Sequence, residues 1–99
     1  MSAFNGWVML KSLETLSLRV EVQTKTAKQL TENIKHHPVV LSVSYPGDQS
    51  FPQYELASRQ MSGSSTLLAF EVKGGRNAAF KFLNALKLID ISNLSLIHI

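Results

Sequence analysis

Apolar residues at helical spacing fill the first third of this 99-residue chain and restrict what it can fold into. From position 13 they recur three, four or seven residues apart, which places them on one stripe of a helix. The stripe consists of Leu13, Leu16, Val20, Ala27, Leu30 and Ile34. Pro38 ends the pattern, because the residue before a proline is forced out of the α region. We therefore predict one long helix over residues 1–37.

The start of this helix is apolar on nearly every side. Phe4, Trp7, Val8, Met9 and Leu10 lie within seven residues of one another. A helix that is apolar all round is normally buried all round. A chain of this length forms one domain with a small core, which offers little surface against which to bury such a helix. We expect this segment to pack on another part of a larger protein, of which the present chain is a piece.

The remaining residues alternate between strand and helix patterns, separated by glycine- and proline-containing turns. The predicted elements are a strand at 39–45, a helix at 54–61, a strand at 66–72, a helix at 77–86 and a strand at 88–92. This order predicts an α+β fold, in which a long N-terminal helix is followed by a small sheet with covering helices. Residues 38–93 form the small subdomain in this interpretation.

The composition excludes several classes of protein. The net charge is +3, but the ten basic residues are scattered, whereas a nucleic-acid groove requires clustered cations interleaved with aromatic residues. There is no cysteine, which excludes disulfides, thiolate metal sites and a cysteine nucleophile. No apolar run approaches the ~20 residues that cross a bilayer, and no signal-peptide pattern is present, so we expect a cytoplasmic protein without nucleic-acid or membrane partners.

Few residues suggest chemistry. His36 and His37 are adjacent, whereas a helical metal pair requires spacing of i, i+4. We interpret them as polar residues at a helix C-terminus, where positive charge is favoured. Gly74 and Gly75 match no phosphate-binding motif and indicate a turn between strand and helix. Asp90 is a carboxylate without a second acid nearby. The patterns therefore predict no catalytic, cofactor-binding or metal-binding residue.

Four segments carry a resemblance to a known family. They are residues 2–16, similar to SPFNAWVLLKGLETL; 37–47, similar to HPKVERVYYPG; 54–63, similar to HELAKRQMSG; and 70–75, similar to FELKGG. In this order they resemble the C-terminal domain of the Cys/Met-metabolism family of pyridoxal-phosphate enzymes, which have fold type I. Residues 88–93, LIDISN, resemble the O-succinylhomoserine sulfhydrylases of that family more than its lyases.

The resemblance implies an active site built from two parts. A lysine of a large domain, which we expect to precede Met1, holds pyridoxal 5'-phosphate as a Schiff base. The cofactor acts as an electron sink while the acyl group of an O-acylhomoserine is replaced by sulfide to give homocysteine. The resemblance also implies a homo-oligomer, a tetramer built from dimers. Of this chain, only Ser92 and Asn93 lie beside the turn that holds the carboxylate of the amino-acid substrate.

Residues 94–99, LSLIHI, interrupt the resemblance. The codons CTG-TCT-CTT-ATA-CAC-ATC would encode these six residues, and that string resembles a transposon-end sequencing adapter, so we expect this tail to be non-native. The alternative is a native apolar terminal strand. An alternative also stands for the whole chain, namely a self-contained α+β module that binds a ligand or a protein without catalysis. That alternative predicts cooperative unfolding of a monomer, whereas a piece of an enzyme is predicted to aggregate or to be molten and inactive.

Overall fold

The computed structural model describes residues 1–91 and confirms the α+β class. The elements, in order, are α1 (Ala3–Leu13), α2 (Leu16–Ile34), β1 (Val40–Ser44), α3 (Tyr54–Gln60), β2 (Ala69–Val72) and α4 (Gly75–Asn84). Within residues 1–91, no helix is both long enough and apolar enough to cross a membrane.

The strands β1 and β2 pair antiparallel, and an irregularity in β1 determines which residues face inward. Val43 pairs with Phe70 and Val40 with Val72, although residues three apart in a regular strand point to opposite faces. The register shifts between Val40 and Ser42, which inserts Leu41 as an extra residue and brings both valines onto one face. Leu41 itself is 59% exposed. The sheet therefore has an apolar inner face despite a broken sequence alternation.

Helix α4 packs on this sheet. The rings of Phe70 and Phe82 meet edge to face, with their centroids 5.5 Å apart and an angle of 89° between their planes. Gly74 begins the helix in the left-handed region, at φ 95°, where a glycine avoids the strain that a side chain would introduce. The Gly74–Gly75 pair is therefore the turn between strand and helix that the sequence predicted.

The predicted third strand is wrong for the residues that the structure describes. Residues 88–91 are in no strand, and Leu88, Ile89 and Ile91 are exposed. A strand is stable only when its backbone groups pair with a neighbour, and two strands alone make a marginal sheet. The apolar run at 88–91 makes no such pairing within residues 1–91. Ser92, the last residue of the predicted strand, lies outside the described residues.

The single helix predicted over residues 1–37 is also wrong, because the segment forms two helices. Helix α1 ends at Leu13, Glu14 donates its backbone N–H to Lys11 in a tighter turn, and α2 begins at Leu16. Thr15 leaves the α region, with φ −105° and ψ 3°. No glycine or proline marks this break, so the apolar spacing continued across it without a signal in the sequence. Helix α2 then ends at Ile34, ahead of Pro38.

The core of the described chain is small. Tyr45 and Thr31 are almost completely buried and Ala27 is buried, whereas Leu16, Val20 and Leu30 of the predicted stripe are exposed. The face of α2 that packs carries Thr24, Ala27, Thr31 and Ile34. The Thr31 hydroxyl donates to the Ala27 carbonyl at 2.8 Å, so its burial leaves no polar group unpaired. The core therefore sits between α2 and the turn that follows β1.

Candidate functional site

Helix α1 carries an exposed apolar surface, formed by Phe4, Trp7, Met9, Leu10 and Leu13. Phe4 is 69% exposed, Trp7 57% and Leu10 65%, and α1 contains no buried residue. The helix begins in the ordinary way, because the Ser2 side chain accepts the backbone N–H of Asn5 at 3.1 Å. The Phe4 and Trp7 rings lie one turn apart, with centroids separated by 6.2 Å. A folded helix thus presents its largest apolar side chains to solvent.

The area of the whole chain gives the scale of this exposure. The accessible surface is 8552 Å², whereas a folded monomer of this size exposes about 5,600 Å². The radius of gyration is 16.8 Å, compared with about 13 Å for a compact domain of one hundred residues. The chain therefore buries less surface than a compact domain of its length, and an exposed apolar patch on such a fold marks an interaction surface. The apolar α1 surface is therefore a candidate docking site for another protein domain.

A second candidate region is the closely packed turn after β1. Tyr45, which directly follows β1, is only 1% exposed, and its hydroxyl donates to the carbonyl of Ser65 at 2.9 Å. Burial raises the pKa of the Tyr45 phenol, and hydrogen bonding with Ser64 offsets part of that rise. Ser65 has φ 94°, a conformation that side chains rarely adopt. The hydrogen bond thus holds the loop before β2 against the turn.

Gly47 allows this close approach. A Cβ at position 47 would lie 2.5 Å from Cβ of Ser64 and 2.7 Å from the Tyr45 ring. Real side chains do not come so near to one another, so no residue larger than glycine fits without a shift of the loop. The Pro46–Gly47 turn was predicted from the sequence, but its tertiary partner, the loop at 62–65, was not.

A charged cluster ties the same turn to the end of α2. The Lys35 ammonium lies 3.1 Å from a Glu32 oxygen and 3.4 Å from a carboxylate oxygen of Asp48, which also accepts the Ser50 hydroxyl. The Ser50 hydrogen bond lowers the pKa of the Asp48 carboxyl more than desolvation raises it, and Lys35 lowers it further. The hydrogen bond to the Glu32 carboxylate raises the pKa of Lys35. Asp48 raises it further, and desolvation offsets part of the rise. The Asp48 carboxylate and the Lys35 ammonium are therefore both held in their charged forms.

The predicted substrate-proximal residues, Ser92 and Asn93, lie outside the described residues, as does the tail at 94–99. His36 and His37 are exposed, and Nδ1 of His37 accepts the backbone N–H of Val39 at 3.2 Å. Within residues 1–91, no group of three or more His, Cys, Asp or Glu side chains is placed to hold a metal ion.

Comparison with known proteins identifies the family. The family model of the Cys/Met metabolism PLP-dependent enzymes matches residues 1–96, nearly the whole chain. The chain belongs to this family. Among curated relatives of the Cys/Met metabolism family, it is similar to the O-succinylhomoserine sulfhydrylase of Mycobacterium tuberculosis, with 46% identity over 97 residues. That alignment covers 94% of this chain and 24% of the relative.

Other members of the Cys/Met metabolism family match with different names. The L-methionine gamma-lyase of Porphyromonas gingivalis is 40% identical over 92 residues, covering 93% of this chain and 23% of the relative. The crystal structure of cystathionine gamma synthase from Xanthomonas oryzae pv. oryzae in complex with cystathionine superposes with a TM-score of 0.87. It is 30% identical, and the match covers 93% of this chain and 24% of that one. The chain thus spans about a quarter of the length of the relatives it matches.

Pyridoxal phosphate is the cofactor of the Cys/Met metabolism family, and residues 1–91 do not fit it. A Schiff-base lysine lies in an enclosed site and reacts as a neutral amine. Six of the seven lysines among residues 1–91 are exposed, and Lys35, which is half-buried, is paired with two carboxylates. The Gly74–Gly75 turn matches no phosphate-binding motif, and its positive φ angles of 95° and 68° account for both glycines. The described residues therefore supply a domain surface and not the cofactor site.

Proposed function

We propose that this chain is the small C-terminal domain of an enzyme that makes homocysteine from an O-acylhomoserine and sulfide, with O-succinylhomoserine as the acyl donor. In this proposal a large domain carries pyridoxal phosphate, and the present chain forms one wall of the active site. The complete enzyme is a cytoplasmic homo-oligomer. In the overall reaction sulfide displaces succinate from the γ-carbon, so that one C–S bond forms and one C–O bond breaks.

One observation carries the choice of reaction. The identity to O-succinylhomoserine sulfhydrylases is 42–46%, against 37–41% to methionine gamma-lyases over similar lengths. The sequence at 88–93 favours the same group of enzymes. Both groups of relatives belong to one family, so the general chemistry of sulfur amino acids is common to the two alternatives.

The role of the chain as a docked domain is supported by the apolar α1 surface. Burial of apolar area stabilises association by about 25 cal/mol per Å², and aromatic residues are enriched among the side chains that carry interface energy. Phe4 and Trp7 are therefore the expected anchors. Helix α1 carries a single charged side chain, that of Lys11, which is paired with Glu14 at 3.3 Å and leaves little charge to desolvate.

A domain exchange tests the proposed reaction. Residues 1–91 replace the matching segment of the M. tuberculosis sulfhydrylase, and in parallel that of the P. gingivalis lyase, while each host keeps its own residues elsewhere. We expect the sulfhydrylase chimera to form homocysteine from O-succinylhomoserine and sulfide at a rate within roughly tenfold of its host, since the cofactor site is unchanged. Activity in the lyase chimera alone, with methanethiol released from methionine, would overturn the proposed substrate.

The docking role is tested with a matched pair of variants in the sulfhydrylase chimera. Replacement of Phe4 and Trp7 by serine removes the two aromatic anchors, whereas replacement of Lys25 and Lys28 by serine changes exposed residues of α2 outside that surface. We expect only the first pair to lower the homocysteine-forming activity and to release bound cofactor. Equal behaviour of the two pairs would contradict docking through α1.

A further inference from the structure

The direction of α1 depends on a short junction. Among the described elements, α1 contacts only α2, and it contributes no residue to the core. The two helices are separated by Glu14 and Thr15. No other described element holds α1 in place, so the conformation of this junction determines where the apolar α1 surface points.

The Arg19 side chain spans the junction with two hydrogen bonds. One terminal nitrogen, Nη2, donates to the backbone carbonyl of Ser12 at 2.8 Å, and Nε donates to Oγ1 of Thr15 at 3.1 Å. Ser12 lies in the last turn of α1, and Thr15 is the residue that precedes α2. A single guanidinium thus joins the end of one helix to the start of the next.

The two Arg19 hydrogen bonds satisfy polar groups that have no helical hydrogen-bond partner at the break between α1 and α2. The last carbonyls of a helix have no intrahelical donor, and a cation near them interacts favourably with the helix dipole. Thr15 makes no side-chain capping hydrogen bond to α2, and its hydroxyl accepts from Arg19 instead. A guanidinium can donate in two fixed directions from one plane, whereas a lysine ammonium is a point charge on a flexible stem.

We propose that Arg19 is a positioning residue that latches the α1–α2 junction and fixes the direction in which the apolar α1 surface leaves the subdomain. This role rests on the proposed docking of α1 onto a cofactor-bearing domain. A latched junction would hold the apolar α1 surface in one direction for that docking. A surface that is already oriented loses less conformational freedom on binding than one that must first be ordered.

Spin labels measure the direction of α1 in the dilute chain, below the concentration at which it associates and at a temperature where circular dichroism shows that its helices are formed. The chain has no cysteine, so Asn5→Cys in α1 and Gln29→Cys in α2 label it without background. We expect one narrow distance distribution, and in R19K a distribution roughly twice as wide, because lysine cannot reproduce both fixed hydrogen bonds. Thr15→Val, which removes the acceptor, broadens the distribution as well, and Thr15→Ser, which keeps the hydroxyl, does not.

A second label pair separates the latch from general stability of the helix. Ser17→Cys and Gln29→Cys both lie in α2, so their distance is expected to stay the same in R19K. Broadening of this control pair would show that Arg19 stabilises α2 itself, and would overturn the proposal. An unchanged α1–α2 distribution in R19K and in Thr15→Val would overturn it equally. The measurement does not depend on catalysis, so an inactive chimera would count against the proposed function and not against the latch.

Discussion

At the scale of single residues, the turn after β1 depends on the absence of a side chain at position 47. A methyl group there would lie 2.5 Å from Cβ of Ser64 and 2.7 Å from the Tyr45 ring. We expect Gly47→Ala to destabilise the local structure by about 1–3 kcal/mol, the usual cost of overpacking. Amide hydrogen exchange of residues 62–65, measured by NMR, reports this opening without requiring global unfolding.

Gly63→Ala is the matched control, because it adds the same methyl group to the facing loop. Its Cβ would lie 3.4 Å from the nearest atom, Cγ2 of Thr24, at the edge of ordinary contact. We expect this variant to leave exchange in the loop nearly unchanged. Equal acceleration in the two variants would show that the turn and the loop are not packed together.

The Asp48 carboxyl gives a prediction about pH. Its pKa lies below the ordinary value of 3.8, chiefly because it accepts the Ser50 hydroxyl, with Lys35 as a further cause. A carboxyl group whose pKa is lowered by folding stabilises the folded state fully when the pH is above the pKa of the unfolded state. This contribution is lost as the pH falls from 3.8 through the lowered pKa. We expect Ser50→Ala and Lys35→Met each to raise the pKa of Asp48, as measured by carboxyl ¹³C shifts. An unchanged pKa of Asp48 in Ser50→Ala would contradict the Ser50 hydrogen bond as its chief cause.

At the scale of elements, the irregularity in β1 predicts opposite outcomes for two neighbouring apolar residues. Leu41 is exposed, whereas Val43 faces inward opposite Phe70. We expect Leu41→Thr to be nearly neutral and Val43→Thr to cost about 1–3 kcal/mol, because the latter places a hydroxyl on the apolar face. Hydrogen exchange of the β1 and β2 backbone amides measures the difference in stability between the two variants. Comparable losses in both variants would mean that β1 pairs with β2 in a regular register.

The elements that were predicted well are those with strong local signals. The predicted helix at 54–61 and the two strands before α4 were recovered, apart from their ends, because turn residues bound each of them. The break at Glu14–Thr15 was missed, since its partner is Arg19, a contact made by an exposed side chain and not by a pattern of hydrophobicity. The strand at 88–92 was predicted from the local sequence pattern, and pairing with a neighbour is not a property of a single segment.

The candidate site was only partly visible in the sequence. The exposure of α1 followed from Phe4 to Leu10, because a helix apolar on all sides exceeds what a chain of this length can bury. The buried role of Tyr45 did not follow, since alternation in β1 gave no reason to single it out from its apolar neighbours. Its burial depends on the loop at 62–65, which is distant in sequence. Contacts of that kind require the tertiary structure.

At the scale of the whole molecule, the helices and turns are individually well formed, but little surface is removed from water. Only Ala27, Thr31 and Tyr45 are buried among residues 1–91, and the apolar α1 surface contributes nothing to the core. Conformational entropy opposes folding at every residue, so a core this small leaves little net stability. A partner that covers α1 would stabilise the folded state by mass action.

This balance predicts the behaviour of the chain alone. We expect it to self-associate and to bind a hydrophobic dye, because Phe4, Trp7 and Leu10 remain uncovered. With pyridoxal phosphate added, we expect no visible absorbance beyond that of the free cofactor and no homocysteine formation, because in the proposed function the lysine that binds the cofactor belongs to the large domain. Sedimentation, dye fluorescence and absorbance spectra measure these properties. A monomer that unfolds in one sharp two-state transition would instead support the self-contained module, and turnover by the chain alone would contradict the need for a second domain.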